Sequence, residues 1–463
     1  VPRILTSATW ALCGAFLLLL AFRWEAAPLA FGPFRLDPLA LFLGTAVALV
    51  SAVVHAFALR HMDGDARFGA FFLRLSALTG VVLLLLATDW APLFVALWVA
   101  MGWLLADAIG HVRGWPQAAA AAALARGWFL RGAAALTIGV TLLSAATGST
   151  FISGIVAGAA QADATLVSLG CAAFGLAAAI QSGLFPFHRW LTSSMTAPTP
   201  VSAFMHAGLV NAGGILVARF APAFEAAPVV LLALFVAGAA SALFGQLAGL
   251  VQSDVKRSLA ASTTAQMGFM LLQCGLGFHA AAMAHLVLHG LYKASLFLGA
   301  GSGLSAAGRP PPAAPSGTTA AAAALAAFAG GSGFALSSGK LDAGAGAVLV
   351  LFAALAAGQA ALAVRTRSPV LRFAALPAAL AVAGLLYGLI VAGIEALLAG
   401  TPGLVAPQPL TAVHALVVAV FTLAWIAVAA GLHRRSARLY VALHRLSQPS
   451  AAAITDRREA LHA

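Results

Sequence analysis

AHLVLHGLYKASLFLGAGS, residues 284–302, is the stretch on which the reading of this chain turns. It is an apolar run broken by three polar side chains, His285, His289 and Lys293, spaced four apart. On a helix that spacing puts all three on one face. A charged side chain at the centre of a bilayer costs roughly 2.5 kcal/mol or more even on the gentler scales, so three in a row need a reason. One reason is an internal polar file along which protons or ions pass. The other is a hydrogen-bonded cluster that only holds helices together. A lone histidine favours the second; a His/His/Lys row at i, i+4 and i+8 favours the first.

The surroundings fit a membrane. The chain is 62% hydrophobic and 8% charged, whereas soluble domains carry about 25% charged residues. The expected fold class is an all-α polytopic membrane protein, with the lipid bilayer as its solvent. A formal charge of +12 would suggest nucleic acid in a soluble chain; here basic residues collecting in cytoplasmic loops explain it better, and no nucleic-acid partner is expected. Cys13, Cys171 and Cys274 lie in apolar surroundings without metal-ligand spacing, so neither a disulfide framework nor a metal site is implied. No nucleophile triad or phosphate loop appears, so no cofactor and no covalent chemistry are expected of the chain alone. Residues 4–22 are long enough to span a bilayer, and with many spans following they read as a first transmembrane helix rather than a cleaved leader.

Apolar segments fall at 4–22, 38–59, 69–87, 92–111, 127–146, 165–185, 199–220, 228–250, 258–277, 281–304, 318–338, 343–364, 373–399 and 410–432, which predicts about fourteen helices. With the N-terminus in the cytoplasm, about 20 of the 25 Lys and Arg fall on cytoplasmic segments. Arg23, Arg35, Arg219 and Lys340 fall outside, and Lys293 within the membrane. The chain divides into N-terminal helices (1–112), a core (113–308), a proline-rich loop (309–316), C-terminal helices (317–432) and a basic tail (433–463) expected at the membrane surface or against a partner. Two helices read as discontinuous: 184–200, with Pro186, Pro198 and Pro200, and the Lys293 helix where it meets GAGSG at 299–303. Locally, 186–200 could equally be a loop between two ordinary helices.

Three blocks carry a family resemblance. PFHRWLTSSMTAPTPVSAFMHAG (186–208), SDVKRSLAASTTAQMGFM (253–270) and HLVLHGLYKASLFLGAGS (285–302) resemble the proton-conducting antiporter-like subunits of respiratory complex I and of Mrp cation/proton antiporters. The stretch 35–80, with its DGDAR turn at 63–67, and FPFHRWL at 185–191 look most like the membrane subunit of the Dab inorganic-carbon pumps. That resemblance implies an antiporter-like fold in a bacterial inner membrane. It also implies a large zinc-containing, carbonic-anhydrase-like cytoplasmic partner, powered by ion flow to hydrate CO2. The chain departs from the respiratory pattern in two places. Val99 follows Trp98 where those relatives carry a Glu, and Gln181 stands where they carry a Lys. A neutral amide cannot exchange protons as Lys can. No ionisable pair is evident late in the sequence, where Glu395 stands alone in its helix.

Under that resemblance His206, His285, His289 and Lys293 form the proton or ion pathway. Imidazoles suit proton relay near neutral pH, and a lysine, unlike an arginine, can release its proton, which makes Lys293 the first candidate. Gln181, His188, Asp254, Lys256 and Arg257 are candidates for gating or partner contact. Each has a plainer reading: His206 as a core histidine, Lys256 and Arg257 as orientation charges, His188 and Arg189 as loop solvation, and Ser262, Thr263, Thr264 and Gln266 as packing hydrogen bonds. Two other functions remain open, a respiratory or Mrp-type subunit and a structural membrane anchor for an enzyme.

Overall fold

Nineteen helices build the chain in a computed structural model that describes residues 1–23, 26–300, 317–341, 344–364, 366 and 368–451. They are α1 (Pro2–Arg23), α2 (Pro38–His61), α3 (Phe68–Ala87), α4 (Ala91–Ile109), α5 (Pro116–Thr147), α6 (Ile152–Gly158), α7 (Ala164–Gln181), α8 (Arg189–Ser193), α9 (Thr199–Ala207) and α10 (Ala212–Arg219). After these come α11 (Ala221–Glu225), α12 (Pro228–Leu250), α13 (Val255–Gly275), α14 (His279–Leu298), α15 (Gly317–Ser338), α16 (Ala345–Ala363), α17 (Leu376–Leu397), α18 (Ala412–Ala429) and α19 (Ala437–Ser447). A short antiparallel hairpin, β1 (Leu29–Phe31) and β2 (Phe34–Leu36), joins α1 to α2.

The local chemistry explains where helices begin. Proline opens α2, α4, α5, α9, α12 and α17, at positions where its missing N–H costs nothing. Asp37, Asp163 and Asp254 cap α2, α7 and α13, each carboxylate accepting from a backbone N–H at 2.8 Å. Helix α5 starts well before the expected residue 127. The alanine run that begins at Ala118 is too weakly apolar to read as a span, but alanine is the strongest helix former.

Among the described residues thirteen spans are long and apolar enough to cross a membrane, with α9 and α10 counted as one span, Thr199–Arg219. Helix α13 has the length, 21 residues, but its Lys, Arg, Ser, Thr and Gln lower its hydropathy. It is nevertheless clamped to α12. A Cβ on Gly238, Gly245, Gly268 or Gly275 would come within 2.6 Å of backbone across this interface. Only glycine permits that approach, the small-residue packing typical of membrane helices. The polytopic all-α expectation of about fourteen crossing helices therefore holds. The α9–α10 span sits at the centre with 94% of its window buried, whereas α1, α17 and α18 lie at the periphery with 17%, 17% and 6% buried.

Residues 182–198 do leave helical geometry, through a cis Phe185–Pro186 bond and the short α8. Trp190, Leu191, Thr192, Ser193 and Ser194 of this segment are buried. Helix α14, in contrast, runs unbroken to Leu298; most of the GAGSG stretch, from 301 on, and the proline-rich 309–316 lie outside the described residues. A second break sits where none was expected, at Gly208–Asn211 between α9 and α10. The tail helix α19 folds back onto the bundle. The Leu446 carbonyl accepts from His188 Nε2 at 2.9 Å, Ser447 Oγ meets Gln252 Nε2 at 2.7 Å, and the Ser450 amide donates to Ser193 Oγ at 3.0 Å.

Candidate functional site

The first break donates to the second. Interrupting a helix frees carbonyls, which in a membrane must find partners inside the protein. At the end of α7, Gln181 Nε2 donates to the Leu209 carbonyl at 3.4 Å and Ser182 Oγ to the Val210 carbonyl at 2.8 Å. The carbonyls of the first break are met from elsewhere: Thr264 Oγ1 of α13 donates to the Gly183 carbonyl at 3.1 Å, and Trp190 Nε1 to the Ile180 carbonyl at 2.9 Å. Gln181 thus stands between the breaks as a second donor to the Leu209 carbonyl, which also accepts from the Ala212 amide, a geometry that sequence spacing could not show.

Beside these breaks lies a buried polar network across α9, α13 and α14. Lys293 is fully buried, and its ammonium donates to the Leu259 carbonyl at 2.8 Å. Thr263 Oγ1 donates to the same carbonyl at 2.9 Å, and His206 Nδ1 meets Thr263 Oγ1 at 3.0 Å. A hydroxyl has one hydrogen. Thr263 gives its own to Leu259, so His206 Nδ1 must be the donor and Nε2 carries the free lone pair. That Nε2 is buried without a protein partner. The His206 ring stacks on Phe297 of α14 at 4.3 Å. Gly290 lets α14 reach α9 at all, since a Cβ there would come within 2.5 Å of the Ala207 carbonyl. One and two turns from Lys293 along α14, His289 and His285 stack with ring centres 5.8 Å apart and planes 9° apart, and both Nε2 atoms are buried without partners. At the His285 end the row opens into a cavity of ≈ 530 Å³ walled by α12–α18, where Gln246, Gln266, Gln273, Tyr387 and Trp425 also line the wall.

Comparison with known proteins matches these elements. Residues 87–309 fit the family model described as NADH:quinone oxidoreductase/Mrp antiporter, TM, and residues 31–72 fit that of the NADH-ubiquinone oxidoreductase (complex I) chain 5 N-terminus. The chain is 39% identical, over 60% of its length and 51% of the relative's, to a probable inorganic carbon transporter subunit DabB1 of Halothiobacillus neapolitanus. It is 39% identical, over 58% of its length and 54% of the relative's, to a probable DabB of Bacillus subtilis. The chain belongs to the antiporter-like superfamily. NADH-quinone oxidoreductase subunit L of Mycobacterium tuberculosis is 35% identical over 59% of this antiporter-like chain and 43% of its own length. The fold agrees over 99% of the chain with part of the Mrp complex from Dietzia sp. DQ12-45-1b, at a TM-score of 0.65 and 23% identity. The chain spans about half the length of the curated relatives it matches.

The structure of this antiporter-like chain joins His206 and Lys293 through Thr263 and Leu259, and places His289 and His285 next along α14. Gln181 touches the α9–α10 break rather than the row. Asp254 is occupied as the α13 cap, and the Arg257 amide is what it caps; Lys256, in the same first turn, is half-buried. His188 does not solvate a loop. It is 3% exposed, packs on Phe185 and Phe244, and binds the tail. Burial, reinforced by the neighbouring Arg189 charge, holds its pKa below the ordinary imidazole value against the opposing pull of the Leu446 carbonyl. Asp107 pairs with Arg74 at 2.8 Å. In the DGDAR turn, Asp65 meets His111 at 3.2 Å. Val99 is 37% exposed, facing outward. One expectation fails: Glu395 is alone in its own helix, but it does belong to a late ionisable pair. Its carboxylate accepts from Lys340 Nζ at 2.8 and 3.1 Å. The partners are 55 residues apart, Lys340 just beyond α15 and Glu395 on α17, so no local spacing reveals them. No group of His, Cys, Asp and Glu suited to a metal ion occurs among the described residues.

Proposed function

We propose that this chain is the proton-conducting membrane subunit of an energy-coupled inorganic-carbon transport complex. The observation that carries the reading is the Lys293–Leu259–Thr263–His206 network, buried at the meeting point of three helices. Its nitrogen bases exchange protons directly. Hard cations such as Na+ call instead for several oxygen ligands, and Lys293 repels them. Protons pass between His206 Nε2, Lys293 and His289 and leave or enter the row through His285. Three histidines and a lysine bear this work without the Lys at position 181 that respiratory relatives carry. The named DabB relatives support the inorganic-carbon assignment over the respiratory one. The partner that completes the reading is a large zinc-containing cytoplasmic subunit similar to a carbonic anhydrase, which the proton flow drives in the direction of bicarbonate accumulation.

The test is inorganic-carbon uptake in a strain that depends on the complex. Lys293→Ala is expected to cut uptake by at least about tenfold, the scale of losing one proton-transfer group, at unchanged membrane expression. Undiminished uptake would sink the role of Lys293. Purification of the native complex separates the rivals: a zinc protein as the co-purifying partner supports this reading, and redox subunits support the respiratory one.

A further inference from the structure

The Lys340–Glu395 pair lies outside the residues that either family model matches. Lys340 follows α15 and Glu395 closes α17, at the end of the bundle away from α19. The direction of α13 fixes this placement. It starts beside Gln252, which the tail contacts, and finishes at the turn before α14, where Phe278 holds the Lys340 ammonium 5.0 Å from its ring centre. Lys340 is 8% exposed and the Glu395 side chain 19%. A backbone strap covers the same end: the Ala280 amide donates to the Leu404 carbonyl at 2.9 Å, and the Ala406 and Gln408 amides donate to the Gly277 and Leu276 carbonyls at 2.9 and 3.0 Å. His279, at the first position of α14, is 1% exposed and its Nδ1 has no partner.

Polar groups lead from the histidine row toward this pair. His285 Nε2 and Gln273 Oε1 are both buried and unpartnered, and both residues line the ≈ 530 Å³ cavity. Gln273 is 3% exposed. A cavity this roomy, with polar atoms in its wall, has room for water. Tyr387 lines it from α17. Tyr387, Val391 and Glu395 stand at i, i+4 and i+8, so Glu395 shares the Tyr387 face of α17 about 12 Å further along.

We propose that Glu395, paired with Lys340, is the proton-exchange station at the far end of the path, a reading that rests on the proton conduction proposed above. An N–H bond of a protonated histidine in the row breaks, its proton passes through cavity water, and an O–H bond forms on the Glu395 carboxylate. That O–H then breaks to water beyond the strap. Inward flow runs the same steps in reverse. Lys340 stays an ammonium throughout: it faces the carboxylate when Glu395 is charged and keeps the Phe278 ring when Glu395 is neutral. The chain thus carries a Lys–Glu pair, away from positions 99 and 181 where its respiratory relatives carry theirs.

The experiment reconstitutes the native membrane complex in liposomes and follows proton flux with an entrapped pH dye. Glu395→Gln is expected to lower flux at least about tenfold in complexes that assemble, and Glu395→Asp to restore most of it. Should Glu395→Gln fail to assemble, the double variant Lys340→Met/Glu395→Met removes both charges together, a change buried pairs commonly tolerate, and it too is expected to lose flux. Wild-type flux in an assembled Glu395→Gln or double variant overturns the proposal and leaves the pair a helix brace. Lys293→Ala, run alongside, separates the two readings: if it also conducts normally, the conduction reading itself has failed.

Discussion

A threonine hydroxyl has one hydrogen, and at Thr263 that hydrogen is committed to the Leu259 carbonyl. The consequence reaches His206, whose Nδ1 must donate and whose buried Nε2 is left to accept. Thr263 therefore sets the tautomer of the histidine without exchanging a proton itself. Valine at this position keeps the shape and removes the acceptor, leaving a buried imidazole N–H unpaired at a cost of about 1–3 kcal/mol. Thr263→Val is expected to slow proton flux in reconstituted complexes by about tenfold or more, and Thr263→Ser to conserve it. Wild-type flux in the valine variant would remove Thr263 from the path. The sequence shows the residues of the row because His285, His289 and Lys293 share one helix, where spacing is geometry. The link to His206 is hidden because Thr263 lies 57 residues away on another helix, and a threonine in an apolar run looks like packing.

At the scale of elements, composition locates helices and misses how broken ones are repaired. Prolines at 186–200 announce one interruption. The Gly208–Asn211 break has no proline, and shows only when Gln181 and Ser182 are seen donating to its carbonyls. The tail helix is a similar case: a basic amphipathic segment reads as a surface helix, but its docking on His188 is a tertiary fact. That docking has a pH dependence with a definite sign. His188 is buried when α19 is docked, and burial first of all lowers its pKa. Undocked, the ring loses the part of that burial that α19 supplies and moves toward its ordinary value near 6.5. Above that value it is neutral in both states and docking is complete. As pH falls below it the undocked state binds the extra proton, so docking weakens by at most about 1.4 kcal/mol per pH unit. Tryptic cleavage at Arg445, compared with a cut elsewhere in the chain, should accelerate between pH 7.5 and 5.5, a range chosen to bracket roughly 6.5. The variant His188→Gln keeps every other histidine, including His444 of α19, and should flatten that profile. Equal slopes in the two proteins would show that His188 has no part in it.

For the whole molecule, charge asymmetry and span parity make one statement. The expected cytoplasmic excess of Lys and Arg requires an even number of crossings, and the structure supplies fourteen only if α13 crosses despite its weak hydropathy. Two of the few cations assigned to the opposite side are neutralised there: Arg219 pairs with Asp37, and Lys340 with Glu395. That leaves the positive charge concentrated on the tail's side. Parity can be read directly. From Ser253 to Val405 the chain passes through α13, α14, α15, α16 and α17, an odd number, and from Val405 to Arg438 only through α18. The three native cysteines are buried and can be replaced to give a background free of thiols. On it, a membrane-impermeant maleimide applied to intact cells is expected to label Val405→Cys, at a position 48% exposed, and to spare Ser253→Cys and Arg438→Cys. Inside-out vesicles should reverse the pattern. Ser253→Cys and Arg438→Cys must agree with each other whatever the orientation, because Gln252 and Ser447 are hydrogen-bonded. Labelling of Val405→Cys and Ser253→Cys from the same side would mean that α13 does not cross. The His206–Thr263–Lys293 network would then lose the helix that joins its two ends.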